Sequence, residues 1–295
     1  MKISIDPILC KYQFLHHLSG WHYSSRTSFG QYWRSVPGKL SYDEVQAVKN
    51  WTALSKRVFA KENLFLAEKY LSGTLSVDEE TAVQAIFEVL GGRFGYHYKK
   101  QFSNIKKVSL YLSRSSLDRY VQDTFRFYKV KPKLPPVYIT LSYNAQKEAG
   151  GMYLGKGVVI EFGDWKLGKD NEPLVNVAIH ELTHGVSLIP LLPRTLRLKL
   201  PEEFNSSAKD FMEEVVHNAL WSQIGVFTQK VFRFSDTELD RRFKRLMRIA
   251  PEPYKSLFMS SYSVRSLLQG HLAAGKSLNN YLLLKLIQEV RSSLK

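Results

Sequence analysis

The chain is poor in cysteine and in acid. Cys10 is the only cysteine among 295 residues, which excludes an intrachain disulfide and any metal cluster built on several thiolates. Acidic residues number 27 against 42 lysines and arginines, leaving a net charge of +15. Nowhere do about 18 apolar residues run together, so no membrane-spanning helix is expected. The longest apolar cluster, Leu282 to Ile287, is broken by Lys285. The first residues, Met1 to Pro7, lack the apolar run of a signal peptide. The expected location is therefore cytoplasmic, with export by a route that leaves no cleavable signal as the alternative. Internal repeats and low-complexity tracts are also lacking.

What is present is the composition of an ordinary folded protein, long enough to bury a core without covalent staples. The positive charge points to an anionic partner: nucleic acid, an anionic membrane surface or an acidic protein. The basic residues are scattered, with one denser stretch from Lys230 through Arg241, Arg242, Lys244, Arg245 and Arg248. That stretch reads first as a solvated helix face and second as a phosphate- or nucleic-acid-binding surface.

Helix starts are written into the sequence. Ser41-x-x-Glu44, Ser76-x-x-Glu79 and Ser235-x-x-Glu238 each match the capping box, in which serine and glutamate satisfy each other's orphan backbone donors. Val83, Ile86, Phe87 and Leu90 continue the second at helical spacing, and Gly91-Gly92 reads as its stop. Another helix is expected over about 116–127. Leu134-Pro135-Pro136 then forbids helix, and Val137 to Leu141 is a β-rich run. Met152-Tyr153-Leu154 and Val158 to Phe162, separated by glycines, read as a hairpin. The next helix opens at Pro173 and ends near Gly185, and helices fill the chain from about 208 onward. The expected fold class is α+β, predominantly helical, with a small sheet before the helix that carries the motif. Residues 1–130 read as an N-terminal helical region and 131–295 as the functional domain.

That motif is His180-Glu181-Leu182-Thr183-His184, an H-E-x-x-H. On a helix, residues i and i+4 project from one side, so both imidazoles can ligate one Zn²⁺. Glu181 then stands beside the metal's water as general base. With 8 histidines in 295 residues, chance gives the pattern in about one chain in eighty. The flanking residues Leu174, Val175, Val177, Ala178, Ile179 and Leu182 sharpen it. They describe a buried helix, where two histidines and a glutamate are costly unless something compensates them.

A third protein ligand leaves the fourth position for water. The position six residues after His184 is Pro190, which excludes the third histidine of the metzincin pattern. The best candidates are Glu213 and Glu214 in the apolar helix Phe211 to Leu220. Of the two, Glu214 shares its face with Phe211, Val215, Asn218 and Trp221, the less charged side and the one expected to turn inward.

The segment from about Val158 to Trp221 resembles the gluzincin clan of metallopeptidases, which includes thermolysin-like and aminopeptidase families. The resemblance implies a zincin-like core, with a strand ahead of the H-E-x-x-H helix and a glutamate on a following helix completing the metal. It further implies a polar residue four positions later that supports the site, which matches Glu214 and Asn218, and the Asn218 side chain is expected to hydrogen-bond and orient a zinc-bound histidine. The linker of nearly thirty residues between His184 and Glu214 is longer than is usual in the clan. Val158 to Phe162 reads equally as an edge strand that pairs with an extended substrate, as in similar peptidases, or as plain sheet core. A donor for the developing oxyanion is expected downstream, and Tyr254, Tyr262, His271 and Tyr281 are equal candidates. His217 is a possible support for the ligands, whereas His16, His17, His22 and His97 read as structural or surface residues.

The leading expectation is therefore a zinc-dependent peptidase acting on a protein or peptide substrate, with His180, His184 and Glu214 as ligands and Glu181 as general base. The alternative is a basic nucleic-acid- or ribosome-associated protein whose zinc site is not catalytic. A structural zinc would be closed by four protein groups, and no cysteine lies nearby to supply them.

Overall fold

A computed structural model of the chain describes all residues except 1, 23–24, 26–27, 132–133, 141–148, 163–171, 203 and 205–206. The fold is mostly helical with one four-stranded mixed sheet, so the expected α+β class with helix in the majority holds. The chain divides into two compact units, 1–115 with 135–174 and 116–134 with 175–295. The sheet thus groups with the N-terminal helices, and neither unit is the continuous segment 1–130 or 131–295.

In the first unit, α1 (Pro7–Ser19) starts where Asp6 accepts hydrogen bonds from the Ile8 and Leu9 amides at 2.8 and 3.0 Å. Leu9, Cys10, Tyr12, Phe14, Leu15 and Leu18 are all buried, the signature of a helix enclosed by its neighbours. Around it lie α2 (Ser28–Ser35), α3 (Tyr42–Glu62), α4 (Leu66–Ser72) and α5 (Val77–Arg114). Both α3 and α5 open on the expected capping boxes at Ser41 and Ser76.

The expected stop at Gly91-Gly92 is overruled, and α5 runs on to Arg114. Each helical glycine costs about 1 kcal/mol. Phe94, Ile105, Val108 and Leu112 continue the apolar period and are buried, and burial of each contributes about 1.5–3 kcal/mol. The larger sum wins.

The sheet has the order β1-β2-β4-β3, from β1 (Ile3–Ser4), β2 (Val137–Thr140), β3 (Ala149–Tyr153) and β4 (Val158–Phe162). Pairs β1–β2 and β2–β4 are parallel, and β3–β4 is the expected antiparallel hairpin. Leu141, at the end of the β-rich run, lies outside the described residues. Of the two readings of Val158 to Phe162, the sheet-core one holds and the edge-strand one does not. β4 is paired on both sides, so it has no free backbone for a substrate strand. Val158, Val159 and Ile160 are fully buried, an apolar run typical of a strand covered on both faces.

The second unit contains α6 (Leu117–Tyr128), α7 (Glu172–Thr183) from Val175 onward, α8 (Ala208–Trp221), α9 (Val226–Phe232), α10 (Asp236–Ile249), α11 (Tyr254–Ala273) and α12 (Asn280–Ser293). Ser207 and Asp210 form a capping box at the start of α8. At α10, Ser235 accepts from the Glu238 amide, but the Glu238 carboxylate pairs with Arg242, leaving the expected box half-formed. The core gathers on α8, where Phe211, Met212, Val215, Val216, Ala219, Leu220 and Trp221 are buried. α8 packs most extensively on α11, which also takes α10 and α12. The Trp221 indole donates to Thr124 on α6, and Thr228 on α9 donates to Asn176 on α7 at 3.3 Å. These polar ties fix α8 and α7, the two helices that carry the site.

Candidate metal centre

On α7, Ala178, Ile179 and Leu182 are fully buried, which orients the helix and leaves one side for the histidines. The helical bonding pattern loosens after Thr183 through Gly185, and His184 occupies the turn that closes it. The two histidines remain one turn apart on the same side. Their Nε2 atoms lie 3.2 Å from each other, with the rings nearly perpendicular at 89°. Glu214 reaches the same point from α8. Its Oε2 lies 3.7 Å from His180 Nε2 and its Oε1 lies 3.3 Å from His184 Nε2. One ligand atom from each of the three residues lies within 4.8 Å of the other two.

Those separations fit a metal. Ligand atoms at 2.0–2.1 Å in a tetrahedron stand about 3.3 Å apart, close to what the three side chains present. Two imidazoles and a carboxylate suit Zn²⁺. Protons alone satisfy the cluster poorly. If His184 carries its proton on Nδ1, its bare Nε2 can accept from His180 Nε2 at 3.2 Å but still faces a Glu214 carboxylate oxygen at 3.3 Å. A cation at that point removes the repulsion.

Burial holds His180 and His184 down to a pKa of about 4, so both are neutral near pH 7 and offer lone pairs, the state that ligation needs. Burial also raises the Glu214 carboxyl, with the nearby His180 opposing it. The cluster is not sealed. Side-chain exposure is 16 % for His180, 14 % for His184 and 31 % for Glu214, which leaves the cluster open to solvent.

The adjacent glutamate does something else. Glu213 accepts hydrogen bonds from the Leu188 amide, from the Ile189 amide at 3.3 Å and from the Ser187 hydroxyl at 3.0 Å. It caps the short 3₁₀ turn Ile189–Leu191 that follows the motif, satisfying donors that would otherwise lack acceptors. Of the two neighbouring carboxylates, Glu214 joins the histidines and Glu213 anchors the connecting loop.

Asn218 lies where expected, four residues after Glu214, but its partner differs from expectation. Its Nδ2 donates to the Glu214 carbonyl at 2.9 Å and to Glu214 Oε2 at 3.2 Å, and so it steadies the carboxylate. The histidine is steadied by His217. His217 Nδ1 lies 3.1 Å from His184 Nδ1, and His217 is fully buried with its ring against Tyr128. Ligation of a metal through His184 Nε2 would leave the His184 proton on Nδ1, where it would be donated to His217. The buried His217 imidazole is held between His184 and the Val186 backbone, which also interacts with the ring.

No family model matches the chain, and no curated protein or solved structure is significantly similar to it.

The four downstream candidates for an oxyanion donor are now distinguishable. Tyr262 donates to Asp240, His271 Nε2 bonds the Ser277 carbonyl at 2.8 Å, and Tyr281 is 67 % exposed. Of the four, Tyr254 is the one whose titration responds to the cluster's carboxylates. Its hydroxyl is pushed up to about 12 by burial and then by the charges of Glu214 and Glu181, so it lies in the field of both carboxylates. Glu181 is buried beside the first histidine. Tyr254 opens α11, and only the fold that lays α11 along α8 selects it.

Proposed function

We propose that the protein is a zinc-dependent peptidase of the gluzincin type, built on a zincin-like arrangement of motif helix and downstream glutamate. One observation carries the reading: His180, His184 and Glu214 bring three ligand atoms together from two helices, in an open cluster with Glu181 next to the first ligand. Zinc bound there would supply Lewis acidity and lower the pKa of a water to about 7.

The remaining steps belong to the chain's own groups. Glu181 takes a proton from the attacking water onto its carboxylate and delivers it to the departing amine nitrogen. Tyr254 donates its hydroxyl proton as a hydrogen bond to the oxygen of the scissile carbonyl as charge develops there. Its high pKa keeps that proton in place at neutral pH. Asn218 holds the Glu214 carboxylate, and His217 holds the tautomer and orientation of His184. The site uses protonation states that its burial already favours: neutral histidines and a protonated tyrosine.

The test is an unbiased peptide-library digest with and without chelator, on wild type and Glu181→Gln. Chelator-sensitive cleavage by wild type, reduced about 10²–10⁴-fold in the variant, supports the proposal. Cleavage that ignores both chelator and the substitution overturns it.

A further inference from the structure

The first unit encloses a small cavity where α1, α3 and the start of α4 meet, with β3 at one side. Gln13 enters it from α1, and Trp21 from the segment that follows α1. Trp51 and Ser55 stand one turn apart on α3, so both face the same way. Tyr12, His16, Phe65, Leu66, Ala67 and Met152 close the rest of the wall.

Four of these side chains carry a buried polar atom that meets no hydrogen-bond partner among the described residues: Gln13 Oε1, Trp21 Nε1, Trp51 Nε1 and Ser55 Oγ. Gln13, Trp51 and Ser55 are 1, 2 and 5 % exposed, so bulk solvent does not serve them. Buried polar groups are nearly always hydrogen-bonded. Orphans gathered at one cavity point to a shared ligand, whereas cavities that stay dry are lined by apolar groups.

Size and bonding capacity select that ligand. The space open to a water-sized sphere is about 10 Å³, close to what a single water requires. Indole nitrogens only donate, the glutamine oxygen only accepts, and the serine hydroxyl does either. A cation would be repelled by the two indole N–H groups. A halide would be repelled by Gln13 Oε1. Water suits all of them, accepting from both indoles and donating to Gln13 and Ser55, within the 2–4 bonds usual for an internal water.

We infer that this cavity binds one internal water, which joins α1, α3 and the segment carrying Trp21. The inference does not rest on the metal centre.

The experiment measures magnetisation transfer from water to the indole protons by NMR on the full chain. Trp21→Phe and Trp51→Phe serve only to assign the two signals. Both indole protons are expected to show the direct dipolar cross-peak of a long-lived water. Ser55→Ala and Tyr12→Phe each remove a hydroxyl from the wall and should leave both cross-peaks, which excludes relay through an exchanging hydroxyl. Ala67→Val adds two carbons to the wall and should abolish both cross-peaks in a protein with an unchanged circular dichroism spectrum. If Ala67→Val does not fold, a crystal structure of the wild type soaked in bromide decides. One density peak is then expected within hydrogen-bond distance of both indole nitrogens, without anomalous signal. A missing cross-peak at either indole in the wild type would overturn the inference. So would loss of the cross-peaks in Ser55→Ala or Tyr12→Phe, their survival in folded Ala67→Val, or bromide in place of the water.

Discussion

His217→Phe is expected to leave the fold intact and to weaken zinc. The phenyl ring keeps the packing against Tyr128, which His217 meets edge-on with ring centres 6.0 Å apart. What it loses is the acceptor nitrogen 3.1 Å from His184 Nδ1. The proton on His184 Nδ1 is then buried without a partner, at a cost of about 1–3 kcal/mol. Loss of the group that orients a metal-bound histidine typically lowers metal affinity about 10–100-fold. That is about 1.4–2.7 kcal/mol, within the same range. The two routes to the magnitude agree. The assay is a competitive titration of the metal-free protein with zinc and a chromophoric chelator, beside a far-ultraviolet circular dichroism spectrum. His217→Asn, which restores an acceptor of shorter reach, should recover part of the affinity. Unchanged zinc affinity in a folded His217→Phe protein would refute the relay and return His217 to the structural core.

Glu213→Ala should retain zinc yet lower stability by about 1–3 kcal/mol, because the Leu188 and Ile189 amides lose their acceptor; Glu214→Ala should do the reverse, and urea denaturation beside metal analysis separates them. Tyr254→Phe should keep zinc and reduce kcat about 10²–10³-fold with KM little changed, the pattern of a group that acts on developing charge; an unchanged kcat would remove it from the mechanism. The metal-free protein should lose stability on acidification. Burial holds His97 at about 4 against 6.5 when unfolded, so between those values the unfolded chain binds the extra proton. Stability from this residue is complete above pH 6.5 and falls by about 3 kcal/mol by pH 4. His97→Phe should flatten that part of the pH profile in chemical denaturation, and an unaltered profile would contradict the assignment.

Much of the site was legible in the chain because it lies on one helix and its partner. The i, i+4 histidines need nothing but helical geometry to converge. The choice of Glu214 over Glu213 also follows from helical faces, since an inward carboxylate must share its side with buried residues. Where the reading failed, the missing information was tertiary. Asn218 and His217 are four and three residues beyond Glu214, so both lie on its side of α8, and only the position of α7 decides which meets a histidine. Tyr254 comes from a helix seventy residues after the motif, and its selection depends on how α11 packs on α8. The run through Gly91 and Gly92 shows local propensity yielding to a continuing apolar stripe. The strand at Val158 to Phe162 was recognisable, but its neighbours were not. Its partner β2 is contributed by a segment some twenty residues earlier, and that pairing removes the free edge.

The central claim is that His180, His184 and Glu214 hold a metal that Glu181 serves without binding. Elemental analysis of the purified protein after dialysis against zinc tests it most directly. One zinc per chain is predicted for wild type and Glu181→Gln, and none for His180→Ala, His184→Ala or Glu214→Ala. Full zinc occupancy in the histidine variants, or no zinc in wild type, would contradict the account.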